Sequence, residues 1–275
     1  MSDLKDFIDP LTKIVINAGE AILKVYNSDQ PIEVQNKSDN SPVTKADHEA
    51  HIIIEKGLSG LQTLYPILSE EGGLPDFSVR SGWERYWLVD PLDGTKEFIN
   101  RNGEFTVNIA LIEGDEAIFG MVYVPITGVL YYGAQNMGAW KVLGNNTQPI
   151  NVRPVAFGEG LTVVGSRRHG AEALNALLAT IESKFSSVDL VSMGSSLKIC
   201  AIAEGVADWY PRLALTCEWD TAAAHAVLTA AGGKIMNVNF QTLNYNQKEE
   251  MLNPFFHAVG DVAFDWEGLI GASSK

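Results

Sequence analysis

Positive charge is scarce in this chain. Twenty lysines and arginines stand against 34 aspartates and glutamates, for a net charge of -14. That balance argues against a nucleic-acid polymer as partner, because backbone binding needs clustered cations. A small anionic substrate stays open, since divalent metals reverse a local field. Cysteine is scarcer still, with Cys200 and Cys217 alone. They make neither a disulfide framework nor a thiolate zinc site, and they suit a reduced, cytoplasmic setting. No apolar run reaches the length of a membrane span. Residues Met1 to Pro10 lack the apolar stretch of a signal peptide. Peripheral attachment to the cytoplasmic face of the inner membrane stays open.

What is present is an ordinary globular composition. The 275 residues are 46% hydrophobic and suffice for one large domain or two moderate ones. Apolar spacing predicts helices over Leu4–Tyr26 and Thr44–Leu61. Short strands are expected at Tyr65–Ser69 and Arg85–Val89, then a meander over Thr106–Glu113, Ala117–Val124, Val129–Ala134 and Ala139–Val142. Polar Asn145–Pro154 reads as the lobe boundary. It divides an α+β lobe, residues 1–154, from an α/β lobe, residues 155–275. In the second lobe strands (Leu161–Val164, Val188–Ser192, Ala207–Tyr210) alternate with helices (Ala171–Lys184, Leu197–Glu204, Thr221–Ala231).

One segment carries the chemistry: Trp87-Leu88-Val89-Asp90-Pro91-Leu92-Asp93-Gly94-Thr95. A buried strand that ends on two carboxylates needs a counter-charge, so Asp90 and Asp93 are expected to share a cation. Glu70-Glu71 also follows an apolar strand, although alone it reads as a solvated pair. Asp220 opens a helix and alone reads as its N-cap. Carboxylates at strand and helix ends, without a histidine or cysteine cluster, fit Mg²⁺ better than zinc. A phosphoaspartate loop of the haloacid dehalogenase type needs Asp-x-Asp-Gly-Thr, and here Pro91 occupies the nucleophile's position.

Glu70-Glu71, Asp90-Pro91-Leu92-Asp93-Gly94-Thr95, Trp219-Asp220-Thr221-Ala222-Ala223 and Ala231-Gly232-Gly233, in that order, resemble the inositol monophosphatase superfamily of Mg²⁺-dependent, lithium-sensitive phosphatases. Pro42-Val43-Thr44-Lys45-Ala46-Asp47 resembles its early aspartate segment. The resemblance implies an α/β (α+β) fold, the layered αβαβα sugar-phosphatase architecture with two lobes and the site between them. It implies Glu70, Asp90, Asp93, Asp220 and the Leu92 carbonyl as metal ligands. It also implies Thr95 and Asp47 as the pair that orients the attacking water.

Lys96-Glu97-Phe98 after Gly94-Thr95, with Gly194-Ser195-Ser196-Leu197-Lys198 and Tyr210-Pro211-Arg212, is similar to the 3'(2'),5'-bisphosphate nucleotidase branch. That implies hydrolysis of 3'-phosphoadenosine 5'-phosphate to AMP and phosphate, clearing a by-product of sulfate assimilation. Ser195, Lys198 and Arg212 are candidates for the retained phosphate, or else a surface salt-bridge set. His169 is a candidate to stack on adenine, or else a solvent-facing loop residue. Glu70, Leu92, Asp93, Gly94, Thr95 and Asp220 would also touch substrate. An inositol-phosphate or sugar-phosphate phosphatase and a non-catalytic nucleotide binder are the competing readings; monomer and homodimer both stay open. His225, Cys200, Trp209 and Tyr131-Tyr132 are expected in packing roles.

Overall fold

A computed structural model of the chain describes residues 4–28, 30, 32–36, 42–166 and 171–271. A 3-10 turn, Leu4–Phe7, leads into α1 (Ile8–Tyr26), and a two-stranded ribbon, β1 (Val34–Asn36) and β2 (Pro42–Thr44), leads into α2 (Lys45–Ser59). Pro10 is tolerated in α1 because first-turn N–H groups have no helical partner anyway. Both helices bury one stripe, Leu11, Val15, Ala18 and Ile22 from α1 and Ala46, Ala50, Ile54 and Leu58 from α2.

Seven strands form the first sheet. In chain order they are β3 (Ile67–Ser69), then, after a short α3 (Phe77–Arg80), β4 (Arg85–Asp93). After another short helix, α4 (Thr95–Ile99), come β5 (Thr106–Glu113), β6 (Glu116–Val124), β7 (Val129–Ala134), β8 (Gly138–Leu143) and β9 (Asn146–Ile150). They lie side by side in that order, with β3 parallel to β4 and the rest an antiparallel meander. The polar stretch expected to be the lobe boundary is thus partly β9. It is an edge strand with four exposed residues before buried Ile150, so it carries no hydrophobic alternation to read.

The second sheet has the order β11-β10-β12-β14-β13. The remaining elements are β10 (Gly160–Gly165), α5 (Ala171–Ile181), β11 (Ser187–Ser192), α6 (Leu197–Ala203), β12 (Trp209–Arg212), α7 (Ala222–Ala230), β13 (Lys234–Asn237), β14 (Phe256–Val259) and α8 (Trp266–Gly271). Strand β12 sits two residues later than Ala207–Tyr210. Pro211 lies inside it, opposite His257 of β14. Strands β13 and β14 and helix α8 have no counterpart among the expected elements.

Three apolar clusters make five layers. On β4, Trp87 and Val89 face α1 and α2, while Tyr86 and Leu88 face the opposite side. That opposite side packs on α6 and α7, which are covered in turn by the second sheet through Ile235, Phe256 and Ala258. Helices α5 and α8 close the far face over Trp209, Leu161 and Val163. The result is the αβαβα layering. Gly120 and its cross-strand partner Gly133 let α7 lie directly on the first sheet. A Cβ on Gly120 would stand 2.0 Å from the Ala223 carbonyl oxygen. Cys200, Trp209, Tyr131 and His225 are buried, and Tyr132 is half-buried. No described helix is long and apolar enough to cross a membrane.

Candidate metal centre and active site

Strand parity places the first carboxylates. Strands β3 and β4 run parallel with Ser69 opposite Val89, so Glu70, just past the end of β3, stands beside Asp90 of β4. The Glu70 amide donates to the Val89 carbonyl at 3.1 Å. Asp90 shares parity with Tyr86 and Leu88 and therefore points between the sheets, toward the start of α7. Asp220 ends the 3-10 turn Glu218–Asp220 just before that helix. Oxygens of Glu70, Asp90 and Asp220 all lie within 4.8 Å of one another.

The register breaks between Asp90 and Asp93, where three steps on β4 match two on β5. Pro91 has no N–H to offer the ladder, and the bulge re-aims Asp93. The Leu92 amide donates to Asp90 Oδ1 at 3.0 Å, which fixes the turn. Gly94 has φ +96°, and a Cβ there would meet the Glu104 carbonyl oxygen at 3.0 Å, so only glycine fits. Asp93 Oδ2 accepts from Ser195 Oγ at 2.7 Å and from the Ser196 amide at 2.7 Å. The Ser196 hydroxyl donates to the Asp220 carbonyl at 2.7 Å. Two serines thus tie Asp93 to the Asp220 turn. Ser195, a candidate for the retained phosphate, donates its hydroxyl to this carboxylate and lines the cavity beside it. Its φ of 53° is left-handed, a conformation that costs about 1 kcal/mol or more in a non-glycine residue.

The electrostatics ask for a cation. Burial pushes the Asp90 carboxyl well above the usual range, and the charges of Glu70, Asp93 and Asp220 push it further. Asp220 is raised to about 8, by burial first and then by Asp93 and Glu70. Arg212 offsets the Asp220 shift only in part, and mutually repelling, desolvated carboxylates are relieved by a metal ion. The all-oxygen donor set matches a hard divalent cation.

Beside this cluster, Thr95 Oγ1 donates to Asp47 Oδ1 at 3.2 Å and lies 3.4 Å from the Leu92 carbonyl oxygen. Asp47 is buried at the third position of α2. Its Oδ2 accepts from the Thr44 amide at 2.8 Å and the Thr44 hydroxyl at 2.6 Å, closing a capping box. The capping box orients Oδ1 toward Thr95. Burial raises the Asp47 carboxyl, and the Thr44 hydrogen bonds oppose that shift.

Two cavities meet here. One, of about 660 Å³, is lined by Glu70, Asp90, Asp93, Thr95 and Asp220. The other, of about 160 Å³, is lined by Asp93, Ser195, Lys198, Tyr210, Arg212 and Asp220. Lys198 is buried, and burial lowers its ammonium to about 8, against the pull of Asp93. It donates to the Ser195 carbonyl at 2.6 Å and the Met193 carbonyl at 3.3 Å. Arg212 donates from Nε to the Ala214 carbonyl at 3.0 Å and from Nη2 to the Leu215 carbonyl at 2.8 Å. His169 lies outside the described residues.

The family model described as the inositol monophosphatase family matches residues 3–263. The chain belongs to the inositol monophosphatase family. It is 46% identical over 252 residues to the 3'(2'),5'-bisphosphate nucleotidase CysQ of Salmonella typhimurium, covering 92% of this chain and 99% of that protein. The corresponding protein of Buchnera aphidicola is 43% identical over 257 residues, covering 92% and 94%. Among solved structures, CysQ from Bacteroides thetaiotaomicron, a bacterial member of the family, superposes with a TM-score of 0.80 at 39% identity, covering 92% and 97%. The inositol monophosphatase of Anabaena shares the fold, with a TM-score of 0.73 at 24% identity and coverage of 98% and 96%. Members of this family are metal-dependent phosphatases, and this chain is a phosphoric monoester hydrolase.

Several supporting residues escape a reading of the sequence. Asn108 donates to the Ser196 hydroxyl at 3.0 Å and lies 3.4 Å from Asp93. Buried Glu218 accepts from the Asn246 amide at 2.8 Å, and Asn253 donates to the Cys217 carbonyl at 2.7 Å. Both hold the Asp220 turn. Asn108 left a signal, a polar residue inside an otherwise apolar strand; the other two left none.

Proposed function

We propose that this phosphatase is a Mg²⁺-dependent 3'(2'),5'-bisphosphate nucleotidase that converts 3'-phosphoadenosine 5'-phosphate to AMP and phosphate. The observation that carries it is the shared cavity: Lys198 and Arg212 stand on the same wall as Asp93 and Asp220. A substrate with one phosphate to lose and one to keep needs both features. The named relatives support the same reading.

Glu70, Asp90, Asp93, Asp220 and the Leu92 carbonyl are the residues that would hold the cation. Bound there, Mg²⁺ supplies acidity to the attacking water and charge to the phosphoryl oxygens. Asp47 holds the Thr95 hydroxyl and draws its proton, so the Thr95 oxygen is turned to accept a proton from that water. No side chain serves as nucleophile, so the phosphate leaves without a covalent phosphoenzyme. Lys198 acts as a point charge and Arg212 as a planar fork on the retained 5'-phosphate. Gly94 lines both cavities, where its backbone would touch the substrate. In a cell that assimilates sulfate, the reaction removes a by-product nucleotide.

The test compares 3'-phosphoadenosine 5'-phosphate with adenosine 3'-phosphate, which lacks the second phosphate. Arg212→Ala and Lys198→Met should raise KM for the first by about tenfold or more and leave kcat/KM for the second nearly unchanged. Equal losses on both substrates would contradict the assignment of these cations.

A further inference from the structure

Arg80, the last residue of α3, is fully buried. A buried guanidinium is costly unless its donors are used, and these donors go to one segment far away in sequence. Nη1 donates to Asn246 Oδ1, and Nη2 donates to the Glu249 carbonyl and, at 2.9 Å, to the Lys248 carbonyl. Asn246 answers with Nδ2 on the Arg80 carbonyl at 2.7 Å. The planar fork is what spans these oxygens; a lysine ammonium is a point charge and cannot reproduce it.

What the fork holds bears on the metal centre. Residues 243–251, between β13 and β14, lie in neither helix nor strand, so no regular backbone ladder fixes them. Asn246 among them is buried and left-handed, with φ 56°, a conformation that asparagine tolerates better than most residues. Its amide donates to Glu218 Oε2 at 2.8 Å. Glu218 is buried in turn, and its own amide donates to the Met251 carbonyl at 2.8 Å. Glu218 opens the 3-10 turn that ends on Asp220. The connection that carries Arg80 leaves β3 at Glu70. One arginine thus joins a segment that starts at one carboxylate of the cluster to the turn that ends at another.

We infer that Arg80 is a positioning residue for the metal centre: through Asn246 and Glu218 it sets the Asp220 turn against Glu70 and Asp90, and so governs cation affinity. Arg80 and Asn246 line neither active-site cavity, so they act through Glu218 and not on the substrate. The inference rests on the proposed role of Asp220 as a metal ligand. Groups that orient ligands from behind cost about 10–100-fold in metal affinity when removed, and a more distant link belongs at the lower end of that range.

Calorimetric titration of the full chain with Mg²⁺, beside steady-state kinetics, is the test. Arg80→Lys keeps the charge and loses the fork. Asn246→Ala cuts the same link from the other side and carries the test if Arg80→Lys does not fold. Each should weaken Mg²⁺ binding about tenfold and raise the Mg²⁺ concentration for half-maximal rate in step. KM for 3'-phosphoadenosine 5'-phosphate at saturating Mg²⁺ should not change. The double variant should lose no more than the weaker-binding single variant, because both cut one link. Leu269→Ala, buried in α8 on the far face, is the stability control; it should lower the melting temperature and leave Mg²⁺ affinity in place. Unchanged Mg²⁺ affinity in either variant that folds, or an equal loss in Leu269→Ala, would overturn the inference and leave the metal reading standing. A parent chain that takes up no Mg²⁺ would overturn both.

Discussion

Thr95 meets an Asp47 that already serves as a helix cap. Its Oδ2 is spent on Thr44 and its Oδ1 reaches Thr95. Thr95→Ala should therefore lower kcat by about 10²–10³-fold, the scale of a lost general base, with little change in melting temperature. Asp47→Asn should cost similar activity plus about 1 kcal/mol of stability from the weakened cap; a denaturation curve separates the two effects. Asp90 gives the opposite sign. Its carboxyl is held above the ordinary range by burial and by its neighbours, so its charge disfavours the metal-free fold at neutral pH. Asp90→Asn should melt higher than the parent in a chelator and gain less on adding Mg²⁺. A lower melting temperature in the chelator would contradict the electrostatic account. At this scale the gathering of Glu70, Asp90 and Asp220 and the Thr95–Asp47 hydrogen bond match the expected grouping, because carboxylates at element ends stand out in an apolar sequence. The bond from Ser195 to Asp93 was not legible, since a serine hydroxyl suits a phosphate and an aspartate equally well.

Elements bring these residues together through three devices: the parallel pair β3 and β4, the bulge at Pro91, and the close seat of α7 on glycines. The two strands follow from sequence, since apolar runs lead into Glu70 and Asp90; their parallel pairing, the bulge at Pro91 and the continuation of β4 to Asp93 do not. Nor does the third device, because a glycine in a strand gives no sign of what approaches it. Gly120→Ala places a methyl 2.0 Å from the Ala223 carbonyl oxygen, so α7 must shift. It should destabilise the fold by about 1–3 kcal/mol and weaken Mg²⁺ binding, because Asp220 moves with the helix. Calorimetric titration with Mg²⁺ checks both if run beside thermal melts. Edge strand β9 and proline-bearing β12 were misplaced or missed because neither carries an alternating apolar pattern. The register that defines them comes from neighbours distant in sequence.

Across the whole molecule, two buried histidines set an acid limit. Burial holds His225 and His257 down to about 4, against 6.5 for the unperturbed ring. Between those values the unfolded chain binds protons that the native state refuses. Stability from this source is therefore full above pH 6.5 and falls as pH drops toward 4, by up to about 3 kcal/mol per histidine. Urea melts across that range should show His257→Phe losing less stability than the parent as pH falls, a difference in which the opposing contributions of the buried carboxylates cancel. The layered α/β class was legible through the family resemblance, because the motifs fall in order along nearly the whole chain. The continuous core linking both sheets through α6 and α7 was not, since periodicity shows that a face is buried without showing against what. The central claim is that one site joins a metal-binding carboxylate cluster to a clamp for a second phosphate. Steady-state kinetics with Mg²⁺, comparing 3'-phosphoadenosine 5'-phosphate with inositol 1-phosphate, test it most directly. The account predicts a higher kcat/KM for the bisphosphate nucleotide; a higher value for inositol 1-phosphate would contradict it.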